Sequence, residues 1–174
     1  MRYVELRRHT DNEGDALTAE GVAAAEAIGR DRLHRPYAMF CSTGAARAAE
    51  MLGSCGTPPA GQDDIAIGVV GRLRSAVADC WREAARVAGK GADLEAMRAV
   101  DADLVERDSW LLGTALRQVV ESLPEGGRAL VVGHSPTNEA AVLGLTGRVV
   151  APLGKGEGVL LVEDGGRYRV DSLP

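Results

Sequence analysis

The sequence predicts an α/β sandwich of three layers, with a largely parallel central sheet flanked by helices. Short β-patterned runs alternate with amphipathic helical stretches along the chain. The run Ala129-Leu130-Val131-Val132 is apolar throughout, as suits a central strand buried on both faces. No internal repeat or linker divides the 174 residues, so a single domain over 1–174 is expected.

The elements follow in order. Residues 3–8 carry a strand pattern, and 11–15 form a polar, Gly-containing loop. Thr18 is placed to cap a helix whose apolar face holds Val22, Ala25, Ile28 and Leu33. After Pro36 a second strand is expected over 38–41. The cap-type residues Ser42, Thr43 and Gly44 then lead into a small-residue helix over 45–52. CGTPPAGQDD is a loop, and a β-branched third strand spans 65–70. Residues 75–87 have a helical pattern, broken by Gly89-Lys90-Gly91. Residues 93–123 are mostly helical, with Met97, Val100 and Leu104 on one stripe and Leu112, Leu116, Val119 and Leu123 on another. Asp108-Ser109 is positioned as a cap between the two stripes. A fourth strand over 129–132 runs into a helix that starts at Pro136 and Thr137 and ends near 145. Residues 159–162 and 168–170 flank Asp164-Gly165-Gly166 as a hairpin.

Composition removes several function classes. A net charge of −5 argues against a general nucleic-acid or anionic-membrane binder. Of 20 basic residues only Lys90 and Lys155 are lysines, so an arginine carries weight only where its position is unusual. Cys41, Cys55 and Cys80 lack metal-ligand spacing and read as reduced structural thiols. Met1 leads straight into a strand without a signal-peptide run, and no stretch approaches about 18 uninterrupted apolar residues. A cytoplasmic protein is expected.

Ligands of such sheets bind at the carboxyl ends of the strands. Arg8 and His9 follow the first strand, Thr43 to Arg47 the second, and Gly133-His134-Ser135 the fourth. Arg8 offers a fork of donors matched to phosphate or carboxylate. Arg47 lies in the first turns of a helix, whose amides also favour an anion. His134, flanked by Gly133 and opening a helix, is poorly suited to fill a core. Other motifs fit less well. GHSPT resembles a nucleophile elbow, but Thr137 stands where the last Gly belongs, and no acid and His follow in order. No Gly-rich nucleotide loop follows a strand, and two histidines without a spaced partner make a thin metal site.

Four segments in this order carry a resemblance: Leu6-Arg7-Arg8-His9, Leu17-Thr18-Ala19-Glu20-Gly21, Thr43-Gly44-Ala45-Ala46-Arg47-Ala48 and Val131-Val132-Gly133-His134-Ser135. Together the chain resembles the histidine phosphatase superfamily, with its phosphoglycerate mutase-like fold. The resemblance implies a metal-independent phosphatase without cofactor. His9 would be the nucleophile that becomes a phosphohistidine. Arg8, Arg47 and His134 would bind the phosphoryl oxygens and offset the transition-state charge. Arg7, one residue out of phase on the strand, would be structural.

Three departures are tolerable because the catalytic side chains stay in place: Thr10 for the family's Gly, Thr43 for Ser and Gly44 for Pro. A fourth touches the chemistry. Many members carry a Glu after the third strand that protonates the leaving group, and Ser75 stands at that position. Asp11, Asp79 and Glu83 are candidates to replace it. Good leaving groups are therefore expected to react best. The short chain and the absent Glu resemble the small bacterial phosphohistidine phosphatases (SixA-like). The expected partner is a phosphorylated small molecule or a phosphohistidine protein, without nucleic acid or membrane. Two alternatives stand beside this: a phosphoglycerate mutase-type enzyme for small phosphorylated metabolites, and a catalytically weak phospho-ligand-binding module.

Overall fold

The computed structural model describes residues 1–58 and 65–174. A six-stranded sheet runs through its middle. In chain order its strands are β1 (Arg2–Arg8), β4 (Met39–Ser42), β5 (Ala66–Val69), β6 (Arg128–Gly133), β7 (Gly158–Asp164) and β8 (Arg167–Leu173). Their spatial order is β5-β4-β6-β1-β7-β8. β5, β4, β6 and β1 are mutually parallel, while β7 pairs antiparallel with both β1 and β8. The expected parallel sheet is thus present with an antiparallel hairpin added at one side. The 11–15 segment departs from a plain loop: β2 (Asn12–Glu13) and β3 (Ala16–Leu17) pair as a small separate hairpin.

Strand alternation sorts side chains to the two faces. Val4 and Leu6 of β1 and Ala129 and Val131 of β6 meet α3 (Ala78–Ala88), α4 (Leu94–Val100), α5 (Ala102–Ser122) and α6 (Thr137–Thr146) in one apolar cluster. Phe40, Leu130 and Val132 face the opposite way, against α1 (Ala19–Asp31) and α2 (Ala46–Ser54). β6 contributes to both clusters, as its unbroken apolar run predicts. Each fully buried Leu or Val adds about 1.5–3 kcal/mol relative to exposure, so this double-sided strand is a main anchor of the layers.

Helix boundaries follow local chemistry, with two corrections. Thr18 caps α1 as expected, its hydroxyl accepting from Gly21 N at 3.0 Å. The helix expected from 75 starts later, at Ala78, after a 3-10 turn over Gly71–Leu73. The cap expected at Asp108-Ser109 is not there. Asp101 caps α5 instead, accepting from Leu104 N at 3.0 Å, and Asp108 and Ser109 lie buried within the helix. Burial wins over cap propensity because Ser109 sits where α5 crosses α6 most closely. A Cβ on Gly144 would come within 1.7 Å of the Ser109 carbonyl oxygen, and one on Gly113 within 2.4 Å of the Gly144 backbone. Only glycines allow that approach.

Arg7 is structural, as its phase on the strand implies. Its side chain is fully buried. Its Nε donates to Glu5 Oε1 at 2.8 Å, and Nη1 donates to the carbonyls of Gly156 and Pro174 at 2.9 and 2.8 Å. The Tyr37 hydroxyl donates to the other Glu5 oxygen. Among the described residues no helix is long and apolar enough to cross a membrane. Removing one member of a buried ion pair strands the other, at about 3–5 kcal/mol. Arg7→Met is therefore expected to lower stability by about that amount in urea unfolding; a loss within error would mean that Tyr37 alone satisfies Glu5.

Candidate active site

The carboxyl ends of the parallel strands converge at one edge of the sheet. The register places Arg8 of β1 opposite Gly133 of β6, and Ser42 of β4 opposite Val132. The next residues, His9, Thr43 and His134, therefore emerge side by side. His9 N donates to Gly133 O at 3.0 Å, which extends the ladder by one step. The His9 and His134 rings lie edge to face, their centroids 5.3 Å apart.

His9, Arg47 and His134 line one cleft of about 420 Å³, together with Arg74, Ser75, Trp81 and Ser135. Arg8 lines an adjoining cleft of about 600 Å³ with Arg86 and Lys90. The two clefts share Arg82, Ala85, Ser135 and Pro136. Three of the four expected residues thus meet directly, and Arg8 reaches the same region from the neighbouring side. Strand phase explains this: Arg8 shares the face of Val4 and Leu6, towards α6. Its Nη1 donates to Leu153 O at 2.7 Å, while its buried Nε has no partner among the described residues.

The tautomer of His9 follows from its neighbours. Nδ1–H donates to Thr10 O at 2.8 Å. Nε2 accepts from Arg47 Nε at 3.2 Å, so its lone pair points at a guanidinium. Burial pushes the His9 pKa down to about 4, helped by Lys155, Arg47 and Arg8. Burial, with Arg47, His9 and Arg74, pushes His134 down to about 3. The Thr43 hydroxyl holds His134 Nε2 at 2.7 Å, and Asn138 Oδ1 accepts from His134 N at 3.2 Å. Both rings are neutral at pH 7, and the arginines supply the positive charge.

Local backbone geometry accounts for one sequence departure. Gly44 has φ of +89°, which a proline cannot adopt. The turn into α2 therefore takes its own course, yet still delivers Arg47 to the cleft.

Asp15 escaped the sequence reading, because nothing marks it in a polar loop. Its carboxylate pairs with Arg47 Nη1 at 2.7 Å and faces the Ala46 amide at 3.4 Å, at the N-terminus of α2. Hydrogen bonds from Arg47 hold its pKa below the usual carboxylate range. Arg74 and Lys155 also went unmarked among eighteen arginines and two lysines. The three acids expected to replace the missing Glu stand elsewhere. Asp79 and Glu83 form exposed ion pairs with Arg82 and Arg86 on α3, and Asp11 accepts from the Thr18 hydroxyl at 2.9 Å. Ser75 does line the cleft, and its hydroxyl donates to the buried Asp108 at 2.7 Å. Of the loop CGTPPAGQDD, residues 59–64 lie outside the described residues. Among the described residues no group of three or more His, Cys, Asp or Glu is arranged to hold a metal ion.

No protein-family model matches the chain, and no curated protein matches it in sequence. Solved structures do match it over its full length. The mycobacterial glucosyl-3-phosphoglycerate phosphatase, solved with inorganic phosphate, superposes with a TM-score of 0.70 at 17% identity, over 98% of this chain and 96% of that one. A phosphoserine phosphatase from Entamoeba histolytica, in complex with 3-phosphoglyceric acid, gives 0.67 at 15% identity over 100% and 98%. A protein from Agrobacterium tumefaciens assigned as the phosphohistidine phosphatase SixA gives 0.58 at 19% identity over 99% and 97%. These structures are histidine phosphatase superfamily members, and the chain shares their phosphoglycerate mutase-like fold.

The depressed histidine pKa values set two measurable consequences. In an NMR titration of the ring protons, His9 is expected to titrate near pH 4 and His134 near pH 3. Between about pH 6.5 and 4 the unfolded chain then binds more protons than the folded one, so stability falls as pH falls through that window. Midpoints near the ordinary imidazole value would mean that solvent reaches both rings.

Proposed function

We propose that the chain is a phosphatase, hydrolysing phosphate monoesters or phosphohistidine through a covalent phosphohistidine on His9. One observation carries this reading: a neutral His9 in the Nδ1–H tautomer, its Nε2 lone pair turned into a cleft that Arg47 and His134 also line. A neutral imidazole with one nitrogen donated away is a nucleophile at the other. The full-length likeness to phosphatase and mutase structures supports the same chemistry.

The chemistry divides into two displacements. A phosphoryl group entering the cleft takes over the Arg47 Nε–H that caps Nε2 in the free protein, which releases the lone pair. Nε2 then attacks phosphorus, an N–P bond forms and the P–O or P–N bond to the leaving group breaks. Water next attacks phosphorus, the N–P bond breaks and phosphate leaves. Arg47 donates to the equatorial oxygens, whose charge must be held through both steps, with His134 beside them and the Arg8 charge acting from the adjoining cleft. Asp15 holds Arg47 in position from the side away from His9. Thr10 O keeps the His9 proton on Nδ1, so attack always comes from Nε2.

His9→Ala is expected to abolish turnover and labelling by substrate phosphorus. The trapped wild-type intermediate is expected to be acid-labile and base-stable, as a phosphoramidate is, and peptide mapping is expected to place it on His9; label on another residue would reject the assignment. Arg47→Ala is expected to lower kcat by about 10²–10³, the loss typical of one preorganised oxyanion donor. The arginines supply the charge that Mg²⁺ supplies in phosphotransferases, so chelator is expected to leave the rate unchanged. Activity lost in chelator and restored by one added metal ion would contradict that.

A further inference from the structure

Arg8 acts from a cleft beside the one that holds His9, so its effect depends on how firmly its guanidinium is placed. Strand pairing fixes only its backbone. Among the described residues its side chain makes one hydrogen bond, from Nη1 to Leu153 O at 2.7 Å, and its buried Nε has no partner. Leu153 lies between α6 and β7, outside any helix or strand. Something must therefore hold Leu153. We propose that Glu139 is the positioning residue for Arg8: it fixes Leu153 at the cleft wall, and Leu153 fixes the guanidinium. The inference rests on the phosphatase reading of the site.

Glu139 lies on α6 and is only 2% exposed. The residues that follow it, Ala140, Ala141 and Val142, belong to the apolar core. A carboxyl group in such a place loses its hydration and needs fixed donors instead. Two donors meet on one oxygen. Leu153 N donates to Glu139 Oε1 at 2.9 Å, and the Ser135 hydroxyl donates to the same atom. Leu153 thus gives its N–H to Glu139 and its carbonyl to Arg8, so one residue bridges the acid and the guanidinium. Ser135 follows His134 directly and lines both clefts. A single buried oxygen therefore meets the loop that carries Arg8 and the turn that carries His134.

Strand phase brings these partners together, because Arg8 shares the face of Val4 and Leu6, towards α6. The bridge works whether the carboxyl group is ionised or neutral, since Oε1 accepts in either form. Charge adds to it. Burial pushes the Glu139 pKa up, while the bonds from Leu153 and Ser135 and the charge of Arg8 act the other way. Burial likewise pushes the Arg8 pKa down, and Glu139 is the foremost charge opposing that. A packing role alone has a different consequence. An apolar side chain of similar volume replaces a buried ionisable group at little cost in stability, so a role in packing survives Glu139→Met and the bridge to Arg8 does not. Glu139→Gln keeps an oxygen acceptor at the same reach.

The test is a double-mutant cycle on kcat/KM for dinitrophenyl phosphate. Glu139→Met is expected to lower kcat/KM about tenfold with Arg8 present, and by less than about twofold in the Arg8→Ala background. Glu139→Gln is expected to stay within about twofold of the wild-type protein. Losses of the same size in both backgrounds, equal losses in Glu139→Met and Glu139→Gln, or no loss in Glu139→Met would each overturn the anchor and leave the phosphatase reading standing. Amide hydrogen exchange reads the contact in the wild-type protein, should Glu139→Met not fold. The Leu153 amide is expected to be protected, and exchange at the rate of an unbonded loop amide would overturn the anchor. No turnover of dinitrophenyl phosphate by the wild-type protein would instead overturn the phosphatase reading, and the exchange measurement would still decide whether Glu139 holds Leu153.

Discussion

Parallel pairing of β1 with β6, with Arg8 opposite Gly133, is the constraint on which the site depends. Both strands end at the same level, so the residue after each lands at the same edge. β4 joins β6 one step earlier, with Ser42 opposite Val132, and brings Thr43 within 2.7 Å of His134. A slip of one residue between β1 and β6 would turn His9 to the other face and bury Arg8 among aliphatic side chains. The apolar run of β6, clamped between two cores, holds the register against such a slip.

Polar groups behind the site stiffen what the strands position. Glu5, Arg7 and Tyr37 form a buried network that reaches Gly156. Gly156 N in turn approaches Arg8 O at 3.2 Å. The loop before β7 is thereby tied to the end of β1, and Leu153 in that loop anchors the Arg8 guanidinium. A buried pair of this kind adds little net stability over an apolar replacement. Its effect is geometric, since it fixes where the Arg8 and His9 backbones run.

Electrostatics and packing then act on the same few atoms. Burial and nearby cations keep both histidines neutral, so the arginines carry the charge while the imidazoles keep their lone pairs. The close α5–α6 crossing at Gly113 and Gly144 fixes where α5 lies on the sheet. Asp108 comes with it, and meets Ser75 and Trp81 from a different part of the chain. A residue whose local sequence reads as a cap is thereby placed behind the cleft wall.

The sequence by itself determined the alternation of strands and helices, the central place of residues 129–132, the cap at Thr18 and the strand-to-helix junctions on which Arg8, His9, Arg47 and His134 stand. Those features are local: periodicity, capping and strand-to-helix junctions are written in neighbouring residues, and strand phase separates Arg7 from Arg8. The structure alone decided which side each arginine approaches from, that Arg8 lines an adjoining cleft, and that Asp15 pairs with Arg47. It also decided that Ser75 finds Asp108, 33 residues away. Those facts depend on how helices pack on a sheet and on which buried polar atoms find partners. Contacts between distant segments are selected by the whole fold, so no single stretch of sequence displays them.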